Sequence, residues 1–189
     1  MADGKGASAR TGAISCPIWQ AKKWEFETER LQVVGWRSRG DAKLAAFLAS
    51  ALTENVTREL PPTWQSGVTI DNANAWIAER DTTGKLFLVE TSDDAAAIGV
   101  FMFFPDKATA REGQVRVGYV FAESAWGNGY ASEVLVGFLK HWDKTGITAQ
   151  LLAGVTASNL ASQRVLEKAG FSKVASKVEQ PGEVLEYER

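Results

Sequence analysis

The chain holds a single cysteine, Cys16, and a single histidine, His141. One thiol excludes an intrachain disulfide, and the two residues together are too few for a Cys/His zinc site, so no metal is expected. Any Ser-His-Asp triad would have to be built on His141 alone. That residue lies in LKHWDK, at the polar end of a helical pattern, where a solvated cation near a helix C-terminus is the simpler role. Cys16 sits in a polar leader and reads as an unpaired cytosolic thiol. An excess of charge is also missing. Twenty-one Lys and Arg stand against 23 Asp and Glu, so nothing forces the basic face that nucleic-acid binding requires. No apolar run approaches the roughly 20 residues of a membrane span. MADGKGASARTGAIS, the first fifteen residues, lacks the apolar core of a signal peptide, and Asp3 weighs against a transit peptide. The expectation is a flexible leader over residues 1–23 ahead of a cytoplasmic domain, with no nucleic-acid and no membrane partner.

Two phosphate signatures are absent as well. No GxxxxGK[ST] occurs, which argues against nucleotide triphosphate hydrolysis. A dinucleotide fingerprint GxGxxG begun at Gly127 would need glycine where Ser132 stands. It would also belong to a first strand-helix turn, whereas this one lies two thirds along the chain.

What is present suits one core. A length of 189 residues, 45% of them hydrophobic and seven of them tryptophan, supports a single domain over 24–189, whereas two would each be undersized. Thr28 to Trp36 (TERLQVVGW) reads as a strand. Asp41 caps a helix through LAAFLASAL, ENVTRELPPTWQSG reads as loop, and DNANAWIAER (71–80) as a second helix. KLFLVET, AAAIGVFMFF and GQVRVGYVF read as three strands, TAQLLAGVT as another, NLASQRVLEKAG as a helix, and SKVASKVE and VLEYER as closing strands. Antiparallel runs early and a strand-helix-strand-helix section late imply an α/β (α+β) fold. Its mixed, mostly antiparallel sheet has six or seven strands and about four flanking helices.

The stretch AWGNGYASEVLVGFL (125–139) carries the strongest signal. Ala131, Val134, Leu135, Phe138 and Trp142 recur at helical spacing, directly behind Gly127 and Gly129. Glycine inside a helix costs about 1 kcal/mol relative to alanine, so the pair reads as a turn. A turn between a strand ending at Phe121 and a helix starting at Tyr130 leaves backbone N–H groups free at a positive helix terminus, a natural seat for phosphate. On these residues alone the turn is either a phosphate site or a purely structural tight turn.

GYVFAESAWGNGYASE and NLASQRVLEKAGF, with TERL at Thr28 to Leu31, resemble the GNAT superfamily of acyl-CoA-dependent N-acetyltransferases, most closely its RimJ/RimL-type branch. The superfamily loop, Q/R-x-x-G-x-G/A, is matched by Trp126-Gly127-Asn128-Gly129-Tyr130-Ala131, with tryptophan in the first position. The resemblance implies splayed central strands and acetyl-CoA as cosubstrate. It places the coenzyme's pyrophosphate on main-chain N–H groups of Gly127, Gly129 and Ala131 with their neighbours, and the pantetheine arm along Val120 and Phe121. It gives three residues catalytic positions: the Phe121 N–H at the developing oxyanion, Asn159 on the pantetheine arm or substrate, and Ser162 near the sulfur. Asn159 is equally readable as the N-cap of its helix. The resemblance also puts the acceptor pocket near the first two helices and their connection, with Trp64 as a candidate aromatic wall, although most of the seven tryptophans simply fill core.

Acetyl transfer requires a neutral amine, donors for the oxyanion and a proton for the thiolate. Many superfamily members carry a tyrosine seven residues after the motif asparagine; this chain has Leu166. Where relatives often carry a polar or acidic residue before the GY pair, it has Arg116, and Glu112 and Glu123 are the nearby carboxylates. Without an obvious base the acceptor matters. An α-amine of pKa about 7.8 is roughly 14% neutral at pH 7, against about 0.04% for lysine, a gap of about 3.5 kcal/mol. The expected acceptor is a primary amine, foremost a protein N-terminus. A small-molecule amine and a non-catalytic CoA-binding module are the rivals, and a monomer or homodimer is expected.

Overall fold

The computed structural model describes residues 24–65, 67–105, 113–174 and 184–189. The leader expected over 1–23 and Glu112 lie outside them. In chain order the elements are β1 (Phe26–Glu27), β2 (Leu31–Gly35), α1 (Asp41–Ala51), α2 (Glu54–Thr57), α3 (Ala73–Asp81), β3 (Lys85–Thr91), β4 (Ala97–Pro105) and β5 (Gln114–Phe121). They continue with α4 (Tyr130–Lys144), β6 (Gln150–Thr156), α5 (Leu160–Lys168), β7 (Ser172–Val174) and β8 (Val184–Glu188); 3₁₀ turns occupy Pro62–Trp64 and Glu123–Ala125. The strands form one sheet in the order β1-β2-β3-β4-β5-β6-β8-β7. Every described pairing is antiparallel except β5 with β6. None of the helices is long and apolar enough to cross a membrane, among the described residues.

Strand periodicity builds two cores. Phe87, Val89, Phe101, Phe103, Val115, Val117 and Phe121 point to one face, where Val134, Leu135, Phe138 and Trp142 of α4 cover them with Leu166 of α5. Leu86, Leu88, Val100, Met102 and Val120 point to the other, beneath Leu44 and Leu48 of α1 and Trp76 and Ile77 of α3. Alternation at period two therefore makes a helix-sheet-helix sandwich, with β3 and β4 apolar on both faces.

Departures from the sequence reading have local causes. The sheet gains β1, two residues too short to show alternation. Thr28 to Arg30 are a turn rather than strand, closed by Thr28 N–H on Leu31 O at 2.8 Å. The expected loop after Thr53 contains α2, capped by Thr53 Oγ1, which accepts from Val56 N–H at 3.3 Å. It also contains the 3₁₀ turn, where prolines are compatible with a first helical turn. A four-residue helix leaves no periodic trace. Asp41 begins α1 without making a side-chain cap bond, and accepts from Arg37 Nη1 instead. Of SKVASKVE, Ser172–Val174 is strand and the remainder lies outside the described residues. His141 is half-buried rather than fully solvated: its ring stacks on Phe26 at 5.9 Å and lies 5.8 Å from Trp24, because the chain around β1 lies over α4.

Gly137 makes that approach possible. A Cβ there would sit 2.6 Å from Thr28 Cγ2 and 2.9 Å from the Phe26 ring. Alanine is the better helix former by about 1 kcal/mol. Overpacking against a β-branched side chain and a ring costs about 1–3 kcal/mol. Gly137→Ala is therefore expected to lower stability, read as a reduced denaturant midpoint.

Candidate active site

The site starts where two strands part. β5 and β6 pair only through Gln114 with Gln150, Val115 with Leu151 and Arg116 with Leu152. Beyond that point β6 continues along β8, through Thr156 opposite Val184, while β5 continues along β4, through Phe121 opposite Gly99. The central strands thus diverge, as the resemblance implied. Ala122 N–H donates to Ile98 O at 3.0 Å, and bonding alternates along an antiparallel pair. Val120 therefore uses its N–H and C=O on Val100 of β4, whereas the polar groups of Tyr119 and Phe121 face the split. Main-chain contact at Val120 is thereby corrected: its side chain is buried in the second core, and the outward-facing positions are 119 and 121. The carbonyl of Phe121 accepts from Trp126 Nε1 at 2.9 Å, which leaves its N–H as the donor directed into the gap.

The turn joins this strand end to α4. Gly127 (φ 77°) and Gly129 (φ 79°) are both left-handed, a region costing other L-residues about 1–2 kcal/mol. A Cβ on Gly127 would meet nothing within 4 Å, so conformation, and not packing, demands glycine there. Gly129 is the N-cap of α4 and makes no side-chain cap bond. The N–H groups of Tyr130, Ala131 and Ser132 consequently have no intrahelical acceptor. Asn128 folds the turn itself, donating through Nδ2 to Ala125 O (3.2 Å) and Trp126 O (3.1 Å). Trp126 is 47% exposed, its indole tethered by the bond to Phe121.

A staple from the turn between β1 and β2 holds the glycine turn. Glu133, in the first turn of α4, accepts from Thr28 Oγ1 (2.6 Å), from Arg30 N–H (2.8 Å) and from Arg30 Nε (2.8 Å). Arg30 Nη2 also donates to Asn128 O at 3.1 Å, and its guanidinium lies 4.7 Å from the Tyr130 ring centre. Burial opposes ionisation of Glu133. The bonds from Thr28 and Arg30, with Arg30's charge, outweigh it and hold the carboxyl below the usual range. This stability is present above the unfolded pKa and is lost as pH falls through the lower folded value. Glu133→Gln is expected to cost about 1–2 kcal/mol at neutral pH and to flatten the acid limb of the stability profile, measured by denaturant melts at stepped pH.

On the far bank, Asn159 Oδ1 accepts from Ser162 N–H at 3.0 Å. Asn159 is thus the N-cap of α5, the structural alternative open at the sequence level. Ser162 lies half-buried in the first helical turn, across from Tyr119. The Tyr119 hydroxyl is inaccessible and has no partner in bonding geometry. Burial pushes its pKa up to about 12, with the adjacent Ser162 hydroxyl pulling the other way. Leu166, 1% exposed, is core.

Residues 53–59 lie against the ends of β5 and β6. Glu123 accepts from Thr53 Oγ1 (2.5 Å) and Asn55 Nδ2 (2.8 Å), and these bonds lower its pKa. Glu59 accepts from Thr156 Oγ1 at the end of β6, and from Ser158 Oγ at 3.0 Å. One short segment therefore ties the ends of both parted strands. Arg116 reaches across β6 to Glu186 of β8 at 2.6 Å, passing 3.6 Å from where a Cβ of Gly154 would stand. Trp64 packs edge-on against Trp76 at 5.0 Å, with the Arg80 guanidinium 5.4 Å from its ring; its ring contacts are those of the second core.

Residues 30–172 match the family model described as the acetyltransferase (GNAT) domain. The chain belongs to the GNAT acetyltransferases. A curated relative, the uncharacterized protein YkkB of Bacillus subtilis (strain 168), is 32% identical over 116 residues, which cover 60% of this chain and 59% of YkkB. The chain thus matches about three fifths of that relative's length. Among solved structures, the GNAT-family acetyltransferase from Bacillus anthracis superposes with a TM-score of 0.67 at 21% identity, covering 87% of this chain and 95% of that one. RimL, the ribosomal L7/L12 alpha-N-protein acetyltransferase, in complex with coenzyme A, superposes with a TM-score of 0.66 at 16% identity, covering 86% and 94%. At these identities the superpositions establish the fold.

The acetyltransferase's own residues fit its cosubstrate. A helix N-terminus with unpaired N–H groups follows directly from a strand whose last N–H faces a gap, so one extended ligand can meet both. Trp126 occupies the position of a missing Arg or Gln. Sequence reasoning missed three features: the Arg30–Glu133 staple, the carboxylate of Glu59 and the hydroxyl of Tyr119. Tyr119 left a signal in its place two residues before Phe121, hence on the same side of the strand, and the staple left one in TERL, while Glu59 left none.

Proposed function

We propose that this acetyltransferase belongs to the RimJ/RimL-type branch and moves the acetyl group of acetyl-CoA onto a primary amine by direct attack, the acceptor being the α-amine of a protein N-terminus. The observation that carries the reading is the direct run from the parted end of β5, through the left-handed glycines, into the open N-terminus of α4. In this reading the N–H groups of Gly127, Gly129, Tyr130 and Ala131, with Asn128 shaping the loop and Trp126 beside it, hold the pyrophosphate. Phe121 N–H donates to the oxygen that gains charge, and Ser162 faces the departing sulfur across the split, on the helix that Asn159 caps. Trp64 keeps the acceptor segment in place from behind.

Weak basicity of the acceptor follows from the carboxylates. Glu123 is fixed by two donors that lower its pKa, and Arg116 is committed to Glu186. Glu59, at the wide end of the split, is likewise held, by the hydroxyls of Thr156 and Ser158 and by Arg58 Nε at 3.7 Å. An α-amine, partly neutral at pH 7, needs the least help. The test is thiol release from acetyl-CoA over a panel of N-terminal peptides, lysine-containing peptides with blocked termini, polyamines and amino acids at pH 7. Peptides with free α-amines should react fastest. Turnover confined to small amines would move the acceptor to a metabolite, and tight CoA binding without release over the whole panel would leave a binding module.

A further inference from the structure

We propose that Tyr119 is a positioning residue: with acetyl-CoA in the split its hydroxyl donates to Ser162 Oγ and thereby directs the Ser162 hydroxyl hydrogen at the sulfur leaving the acetyl group. The inference rests on acetyl-CoA lying in the split as proposed above. Three observations carry it. Tyr119 and Ser162 stand on opposite banks, one on β5 where pairing with β6 has ended, the other in the first turn of the helix that follows β6. The Tyr119 hydroxyl is a buried donor without an acceptor in bonding geometry, and a buried unpaired polar group is rare unless something completes it. Ser162 N–H is already fixed by Asn159 Oδ1, so the backbone under the serine is held and its side-chain torsion and hydroxyl rotor are left to be set.

Chemistry decides that Tyr119 gives a hydrogen bond and keeps its proton. With its pKa near 12 and a free thiol near 8.5, proton transfer from the phenol to the thiolate is unfavourable by roughly 3,000-fold. The phenol stays protonated throughout the working range and is a permanent donor. When the C–S bond breaks, its electron pair goes to sulfur, the Ser162 O–H donates to that sulfur, and the proton that finally neutralises it is the one released by the attacking amine, carried by water. The hydroxyl pair thus supplies from strand and helix together what position 166, a leucine, does not.

Two variants and one resonance test this. Tyr119→Phe removes a single oxygen and should lower kcat by on the order of tenfold, leaving the acetyl-CoA KM within about twofold. The double variant Tyr119→Phe, Ser162→Ala should be no slower than Ser162→Ala alone, since the tyrosine acts through the serine. The chain has three tyrosines, so in protein labelled with ¹³C at tyrosine Cζ the Tyr119 signal is the one lost in Tyr119→Phe. That signal should move on adding CoA and on Ser162→Ala. Independent, multiplicative losses in kcat, or a Tyr119 signal indifferent to both bound CoA and Ser162→Ala, would overturn the inference and leave the proposed activity standing. If CoA binds without turnover, the resonance alone decides. Absence of CoA binding would remove both.

Discussion

Gly129→Glu is expected to raise the dissociation constant for CoA at least about a hundredfold, equivalent to about 2.7 kcal/mol, while the protein remains folded. Residue 129 holds φ 79° at the N-cap of α4, and a side chain there costs about 1–2 kcal/mol of backbone strain. That strain is borne by the folded state with or without ligand. The larger effect is electrostatic. A helix N-terminus carries roughly half a positive charge, and a carboxylate there both occupies the space in front of the free N–H groups and repels a diphosphate. Arg30, whose Nη2 lies 3.8 Å from the position of a Cβ at 129, would pair with the new carboxylate and be drawn away from Asn128 O. Gly129→Asn separates strain from charge, since asparagine tolerates the left-handed region. It should retain most of the affinity. Calorimetric titration of CoA into the two variants, beside their denaturant midpoints, gives the comparison; equal affinities would deny that the turn sees phosphate.

Gly99→Val should reduce turnover at least tenfold and lower stability by about 2–3 kcal/mol, near the upper end for an overpacked core. A Cβ at 99 would stand 2.6 Å from Phe121 Cδ1 and 2.7 Å from Val120 O. One neighbour is strand backbone, which cannot swing aside as a flexible side chain does. Relief has to come from displacing the end of β5, and the Phe121 N–H moves with it. The register of β3 on β4 shifts beside this point, where Glu90 pairs with Ala97 and Ile98 is the extra residue, so β4 already carries a bulge behind the end of β5. Gly118→Ala is the contrast. Its Cβ would meet only Met102, at 3.4 Å, an ordinary contact with a pliant side chain, and activity should stay close to that of the parent. Chemical melts with kcat for both variants test the pair. Full activity in Gly99→Val would show that the position of Phe121 does not matter.

Glycines 127 and 129 were legible because their cost in a helix contradicts the apolar pattern behind them. The strands were legible where alternation runs long: KLFLVET is β3 to the residue, and Tyr130 begins α4 as expected. What stayed hidden depends on long-range contacts. Gly99, Gly137 and Gly154 look alike in the sequence, yet one backs Phe121, one admits Thr28 and Phe26, and one lets Arg116 pass to Glu186. TERL carried a resemblance without a reason. The reason is Arg30 meeting Glu133 and Asn128, about a hundred residues away in the chain. Asn159 illustrates a residue whose two readings share one motif, since the cap geometry fixes the very turn that presents Ser162.

The central claim is that backbone amides of the turn and of the parted strand receive one ligand. Titration of CoA into ¹⁵N-labelled protein, followed amide by amide, tests it most directly. The account predicts the largest displacements at Gly129, Tyr130 and Ala131, with a second group at Tyr119 and Phe121, and little change in α1 or α3. Saturation by CoA that left both groups unmoved, with the shifts gathered elsewhere, would contradict it.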